Sequence, residues 1–210
     1  MKARLETTVR TIAIAAMLLA SPLVIAANAQ PTLNFDGGGS TTVRLDDALL
    51  PTLSSLGVSV ASVAPGKVSG NARGVFARFG IPASGGSVDL TSLSLEILHT
   101  GGLTFSGGGI TVETSTYIIE NLGGALQLTG LVKVGDSIVG RIPLFDIALT
   151  NAPSVRQGQI QVGGAELTLA QDAADALNGV FGTDAFVEGI PVGVAEIRSR
   201  RARGVSIRRR

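Results

Sequence analysis

The sequence contains one histidine, His99, one tyrosine, Tyr117, and neither cysteine nor tryptophan. A neutral imidazole or a phenol can ligate haem iron or another metal. These two residues are therefore the candidates for binding a cofactor, while no dedicated metal site is predicted. Cysteine chemistry is excluded, and a single histidine leaves little machinery for general base or nucleophilic catalysis. The residue types favour a protein that is not an enzyme.

The position of His99 allows two interpretations. It follows Leu93, Leu95 and Ile97 at a spacing of two residues, and in an unbroken strand such residues share one face. His99 would then be a core histidine that bonds a neighbouring carbonyl. Alternatively, the strand ends at Thr100-Gly101-Gly102, and the imidazole stands at the end of a sheet where it could bind haem or another metal.

Motifs for other chemistry are absent from the sequence. It has no G-x-S-x-G, H-E-x-x-H, phosphate-loop or G-x-G-x-x-G pattern. The glycine runs at residues 37–39 and 107–109 lack the following lysine that would let them hold phosphate. These runs are predicted to form hairpin turns.

Two pairs of carboxylates could in principle serve a glycosidase. Asp46 and Asp47 are adjacent, and Asp172 and Asp175 lie three residues apart on a predicted helix. Sugar-cleaving enzymes also present aromatic surfaces to the sugar, and this sequence is poor in aromatic residues. The pairs are therefore predicted to be solvated surface groups, and a hydrolase ranks third among the functions considered.

Charge is divided between the body of the chain and its C-terminus. Residues 30–197 carry 7 basic and 15 acidic side chains, whereas residues 198–210 carry seven arginines and no acid. A tail of this composition is predicted to be disordered in isolation. It could contact an anionic surface or an envelope component. The alternative is a solvated terminus without a function. The candidate contact residues are Arg198, Arg200, Arg201, Arg203, Arg208, Arg209 and Arg210.

The elements that would position these residues are mostly strands. Short runs rich in Val, Ile, Leu and Thr alternate with glycine-containing breaks, a pattern typical of β-proteins. Residues 32–35 and 41–45 are predicted to form a hairpin, and 58–63 a strand. Residues 115–149 are predicted to form a meander of four strands, the last two divided after Pro143, with a bulge at Gly130.

Two short helices interrupt this pattern. Leu49, Leu53 and Leu56 have helical spacing before Gly57 and predict a short helix within residues 46–56, with 51–56 as its narrowest bounds. A second helix is predicted from Leu169 to Gly182, with a capping box formed by Thr168 and Gln171. The predicted fold is an all-β antiparallel sandwich or barrel-like domain with one or two short helices.

The N-terminus has the organisation of a secretory signal. Basic residues precede an apolar run at residues 12–20, and Ala27-Asn28-Ala29 forms an A-x-A cleavage site. The alternative is a membrane anchor, for which the apolar run is short. The predicted organisation is a signal peptide at 1–29, one β-rich domain at 30–197 and a basic tail at 198–210, so the mature protein is expected in the periplasm or outside the cell.

The central part of the chain resembles a known family. Residues 92–105 (SLSLEILHTGGLTF), 110–119 and 141–146 (RIPLFD), with the helix at 169–182, are similar to HtaA-type secreted bacterial domains. The resemblance implies a haem-binding β-domain in which His99 matches the histidine near the haem. The family's haem-ligating tyrosine lies in an aromatic-rich segment, whereas the corresponding residues 41–63 here contain no aromatic residue.

The sequence thus predicts a secreted or periplasmic, non-enzymatic binding or structural module. The alternative is an HtaA-like haem-binding protein that uses His99, with Tyr117 as the second candidate ligand.

Overall fold

The computed structural model describes residues 32–35, 37–89, 94–122 and 124–200. Two helices, α1 (Leu49–Ser55) and α2 (Gln171–Phe181), accompany the strands. The strands are β1 (Thr32–Asn34), β2 (Gly39–Leu45), β3 (Ser59–Val63), β4 (Lys67–Asn71), β5 (Gly74–Ile81), β6 (Gly86–Asp89), β7 (Leu95–Leu98), β8 (Gly102–Gly107), β9 (Ile110–Leu122), β10 (Ala125–Val134), β11 (Ser137–Leu149), β12 (Ser154–Arg156), β13 (Gln159–Leu169) and β14 (Pro191–Ser199). The predicted all-β class with short helices is confirmed.

The strands form one antiparallel sheet that curls into a nearly closed barrel. Its main path runs β1, β6, β7, β9, β10, β11, β13, β14, β2, β5 and β4, while β8 pairs with both β9 and β3. The two sides meet where the Thr100 amide donates to the Gly80 carbonyl oxygen at 2.8 Å. Closing the sheet protects strand edges and gives the inward-facing side chains a common interior.

A bulge in β9 sets which side chains enter that interior. Ser115 pairs with Leu131 and Ile118 with Thr129, so two residues of β9 lie opposite Gly130 alone. Thr116, in this bulge, has a φ of 53°. Because the extra residue shifts the alternation by one, Thr114 and Tyr117 both face inward. The bulge predicted in the strand that contains Gly130 therefore lies in the neighbouring strand β9, with Gly130 opposite it.

The predicted N-terminal hairpin is wrong. Strand β1 pairs with β6, and β2 lies between β14 and β5. The glycines at 37–39 permit a reversal of the chain, but they do not specify its partners, and the long-range pairings bury Phe35 and Val43. The other glycine run does form a hairpin turn, because Gly107 pairs with Ile110.

The predicted capping box is also wrong. Thr168 pairs with Asp146 inside β13, and the residue that precedes α2 is Ala170, with no side-chain cap. Strand pairing therefore occupies the residue that would have capped the helix. The stop at Gly182 is confirmed, since this residue has the left-handed conformation with a φ of 62°.

Strand β11 is longer than predicted. Pro143 does not divide β11, because it lies opposite Thr129 beside a shift in the register, where the ladder tolerates a missing donor. Strand β14 continues to Ser199, which pairs with Gly39. Among the described residues, neither helix has the length and apolar character needed to cross a membrane.

Candidate functional site

A cavity of about 460 Å³ lies between the barrel wall and the two helices. We call it the helix-side cavity. Protein interiors normally contain few voids larger than a water molecule, whereas sites for small molecules span roughly 300–1,000 Å³. Its wall is almost entirely apolar and includes Leu45, Phe79, Phe105, Leu144, Leu53 and Leu177.

The helices close this cavity only in part. Helix α1 buries Leu53, and α2 packs its apolar face towards β11. Between them, Thr52 on α1 and Gly179 on α2 are both exposed and both belong to the wall. Val139, on the β10–β11 hairpin, also lines the cavity while 59% of its surface is exposed. The cavity therefore meets solvent beside the helices and this hairpin.

An aromatic pair separates the helix-side cavity from the rest of the interior. The rings of Phe79 and Tyr117 meet edge to face with centroids 5.0 Å apart, a favourable arrangement for two aromatic groups. Both rings also border a second void of about 20 Å³, which we call the histidine-side void. This second void has room for about one water molecule.

His99 lies at the histidine-side void and is 3% exposed. Its Nε2 is 2.6 Å from the buried hydroxyl of Thr41, and its Nδ1 has no hydrogen-bond partner among the described residues. Burial lowers the pKa of His99 to about 4, although the carbonyls of Ile97 and Tyr117 favour its charged form. The imidazole is therefore neutral at pH 7.

His99 shares a buried face with the residues of β7 that precede it. Leu95, Ile97 and His99 are all buried, as the predicted shared face requires, while Leu93 lies outside the described residues. The residue is a core histidine that contacts the Thr41 hydroxyl, and the carbonyls of Ile97 and Tyr117 also favour its charged form. Strand β7 ends at Leu98, yet the imidazole stays inside the barrel.

Tyr117 is also 3% exposed and is held by hydrogen bonds to Thr114. Its hydroxyl lies 2.8 Å from the Thr114 hydroxyl and 3.0 Å from the Thr114 carbonyl oxygen. Burial raises the pKa of Tyr117 well above its usual value. The backbones of the two candidate residues meet directly, because the His99 amide donates to the Tyr117 carbonyl oxygen at 2.7 Å.

Three of the four carboxylates in the two pairs are exposed, and Asp46 is half-buried. Asp47 is exposed and pairs with Arg44 at 2.9 Å, while Asp172 is exposed near the start of α2. Their neighbours Asp46 and Asp175 border the helix-side cavity. Within the described ranges, no three acidic or histidine side chains come close enough to hold a metal ion.

Two of the seven candidate tail arginines lie within the described residues. Arg198 is part of β14 and pairs with Glu196 at 2.9 Å, and the Arg200 amide donates to the Gly38 carbonyl oxygen at 2.7 Å. Both side chains are exposed. The other five, at positions 201, 203, 208, 209 and 210, lie outside the described residues, as does the predicted signal peptide.

Solved structures share this architecture. The C-terminal domain of HtaA from Corynebacterium glutamicum aligns with a TM-score of 0.57 and 16% identity, over 77% of this chain and 95% of that chain. The chain has the HtaA-domain fold. The N-terminal domain of the same protein aligns with a TM-score of 0.55 and 16% identity, over 77% and 97% of the two chains. No family model and no curated protein matches the sequence.

Within this HtaA-type fold, sequence reasoning missed the helix-side cavity. Its wall residues alternate along their strands as core residues do, and alternation predicts which side chains face inward without predicting whether they fill the space. The predicted pair of helices was the one local signal for a cavity. Short helices can cover the end of a barrel, so side chains need not fill the space beneath them.

Proposed function

We propose that the protein is a non-enzymatic binding module that holds an apolar small molecule in the helix-side cavity. The cavity itself carries this proposal: about 460 Å³ of space with an apolar wall inside an otherwise packed barrel. Filling it removes apolar surface from water on both partners, which is worth about 25 cal/mol for each Å² buried.

The first test uses N-phenyl-1-naphthylamine, an apolar probe whose fluorescence rises on leaving water. Ala176 is half-buried in the wall of the cavity, so Ala176→Phe should fill part of the space and weaken probe binding at least tenfold. Ala148→Phe, at an exposed position of β11 outside the wall, is the matched control and should bind like the wild type. Equal binding by both variants, or no binding by the wild type, would contradict the proposal.

A catalytic role is disfavoured by the surroundings of His99. Its contact with the Thr41 hydroxyl is the geometry of a nucleophile beside a base. Both residues are buried, however, and the adjoining void of about 20 Å³ is too small for a substrate. We expect no hydrolysis of ester substrates above the rate of a Thr41→Val variant.

Haem is the second candidate ligand, favoured by the shared HtaA-domain fold and by the resemblance of residues 92–105. The residues present do not fit it in this arrangement. His99 adjoins the histidine-side void, far smaller than a porphyrin requires, and the Tyr117 hydroxyl is bonded to Thr114. The raised pKa of Tyr117 also opposes the phenolate that iron prefers.

Absorbance spectroscopy with hemin decides between the two ligands. The haem alternative requires a Soret shift on adding the protein, lost in His99→Ala. The proposal of an apolar ligand predicts a spectrum like that of free hemin, together with saturable binding of the naphthylamine probe by the same sample.

Export of the protein remains part of the proposal and rests on residues 1–29. Expression of the full chain in a bacterium should yield a mature protein that begins at Gln30. N-terminal sequencing checks this directly, and an intact N-terminus on the exported protein would instead support the membrane-anchor alternative.

A further inference from the structure

The wall of the helix-side cavity carries one buried polar feature, the hydroxyl pair of Thr114 and Tyr117. Both residues belong to the wall of the cavity. They lie at the end where the Phe79–Tyr117 pair separates the cavity from the histidine-side void. They sit together because the bulge at Thr116 turns both side chains inward only three residues apart. A ligand that reaches this end of the cavity meets two hydroxyl oxygens.

The protons of these two hydroxyls already have partners in the protein. The two hydroxyl oxygens are 2.8 Å apart and share one hydrogen bond, in which either can donate. The remaining proton is directed to a backbone carbonyl oxygen, either that of Thr114 at 3.0 Å from the Tyr117 hydroxyl or that of Leu103 at 3.4 Å from the Thr114 hydroxyl. A hydroxyl oxygen has two lone pairs. The pair can therefore accept a hydrogen bond from a ligand more readily than it can donate one.

The charges around the cavity act against an anionic ligand. Of the residues that the structure describes, the charged ones in the wall are Asp46 and Asp175, and neither lysine nor arginine contributes. A carboxylate taken into this wall would lose its water without gaining a cation, which is costly. The two aspartates would also repel it.

We infer that the ligand is an uncharged amphiphile, with an apolar body and one hydroxyl-type donor that bonds to Thr114 and Tyr117. The inference rests on the proposed function and narrows it to a chemical class. A ligand of this class differs from a porphyrin with two carboxylates, because it carries no charge.

Displacement of the naphthylamine probe by three ligands of equal chain length tests the inference. At pH 8, 1-decanol offers a donor, decyl methyl ether has the chain without the donor, and decanoate carries a charge. One additional hydrogen bond of about 1 kcal/mol predicts that 1-decanol displaces the probe at roughly fivefold lower concentration than the ether. Decanoate should be the weakest of the three.

Variants locate the effect. Thr114→Val keeps the shape of the side chain and removes its hydroxyl, so it should reduce the advantage of the alcohol over the ether. Tyr117→Phe should do the same while keeping the aromatic pair. Thr104→Val, on neighbouring β8 but outside the wall, is the matched control and should leave the advantage unchanged.

The outcomes separate the two proposals. If the probe does not bind the wild type, the proposed function fails. If the probe binds but alcohol and ether displace it equally, or decanoate is the strongest competitor, the inference fails while the proposed function stands. The comparison of ligands on the wild type does not depend on the folding of any variant.

Discussion

His99 is the residue whose type most strongly suggests a function, but its contacts are those of a structural residue in the barrel interior. It bonds Thr41 on β2 and, through its amide, Tyr117 on β9. It therefore joins two strands that are distant along the sheet. Its Nδ1 has no hydrogen-bond partner among the described residues.

The stability of the protein should depend on pH through this residue. Burial lowers the pKa of His99 to about 4 from the 6.5 of an unfolded chain. Between these values the unfolded state binds a proton that the folded state does not, so the free energy of unfolding falls as pH drops from 6.5 to 4. From pH 7 to pH 5 the expected loss is about 2 kcal/mol.

Urea unfolding of the wild type and of His99→Gln at both pH values measures this loss. The wild type should lose about 2 kcal/mol more than the variant, because the acidic groups titrate in both proteins. Equal losses would show that His99 is not desolvated in the folded state.

Gly130 should not tolerate a side chain. A Cβ at this position would collide with Leu144 and would lie 2.9 Å from the Tyr117 ring. Gly130→Ala should destabilise the protein by about 1–3 kcal/mol, as overpacked cores do. Gly163→Ala, where a Cβ meets open space, is the control for thermal unfolding. An unchanged melting temperature for Gly130→Ala would contradict the described packing around Tyr117.

At the scale of elements, Asn178 holds the segment that follows α2 against the helix. Asn178 donates from Nδ2 to the Phe186 carbonyl oxygen at 2.7 Å and accepts from the Phe186 amide at 3.0 Å. Phe186 is buried and lines the cavity. The segment between α2 and β14 is thereby fixed against the helix.

Asn178→Ala should weaken both stability and ligand binding. Losing two hydrogen bonds in a partly buried site predicts about 2 kcal/mol of destabilisation, and a mobile Phe186 should lower the affinity for the naphthylamine probe. Gln171→Ala, which removes an exposed contact with Asp175, is the control and should change neither. Loss of stability without any change in probe affinity would separate this segment from the site.

Elements defined by local patterns were predicted well, and their partners were not. The run of leucines before Gly57 and the left-handed residue Gly182 are local features, and both helices form. The hairpin at 32–45 failed because its strands pair with β6, β14 and β5, which lie far along the chain. Thr168 failed as a cap because β13 extends through it to Leu169.

At the scale of the whole molecule, the alternation of apolar and polar residues in each strand indicates which side chains face inward. Closure of the sheet at Thr100 makes the space between those side chains an enclosed interior. Whether the space is filled depends on the strand order and on the bulges in β9, β11 and β13, which no local pattern specifies. The residues of the site were therefore visible as core residues, while the cavity was not.

Charge acts on the whole molecule through the basic terminus. The body at residues 30–197 carries a net charge of −8, whereas residues 201–210 contain five arginines. Deleting residues 201–210, after the end of β14, should reduce retention on phosphatidylglycerol vesicles at low salt, since exposed charges act over about 10 Å at 0.1 M salt. Replacing the five arginines with lysine should preserve retention, and equal retention by the truncated protein would remove any role for the terminus.

The central claim is that an uncharged apolar ligand enters the helix-side cavity, and methyl NMR during titration with 1-decanol tests it most directly. The claim predicts saturable shifts of the Leu53, Leu177 and Leu144 methyl signals, which line the cavity, and none at exposed Val155 on β12. Unchanged wall signals, or shifts confined to Val155 and other exposed methyl groups, would contradict it.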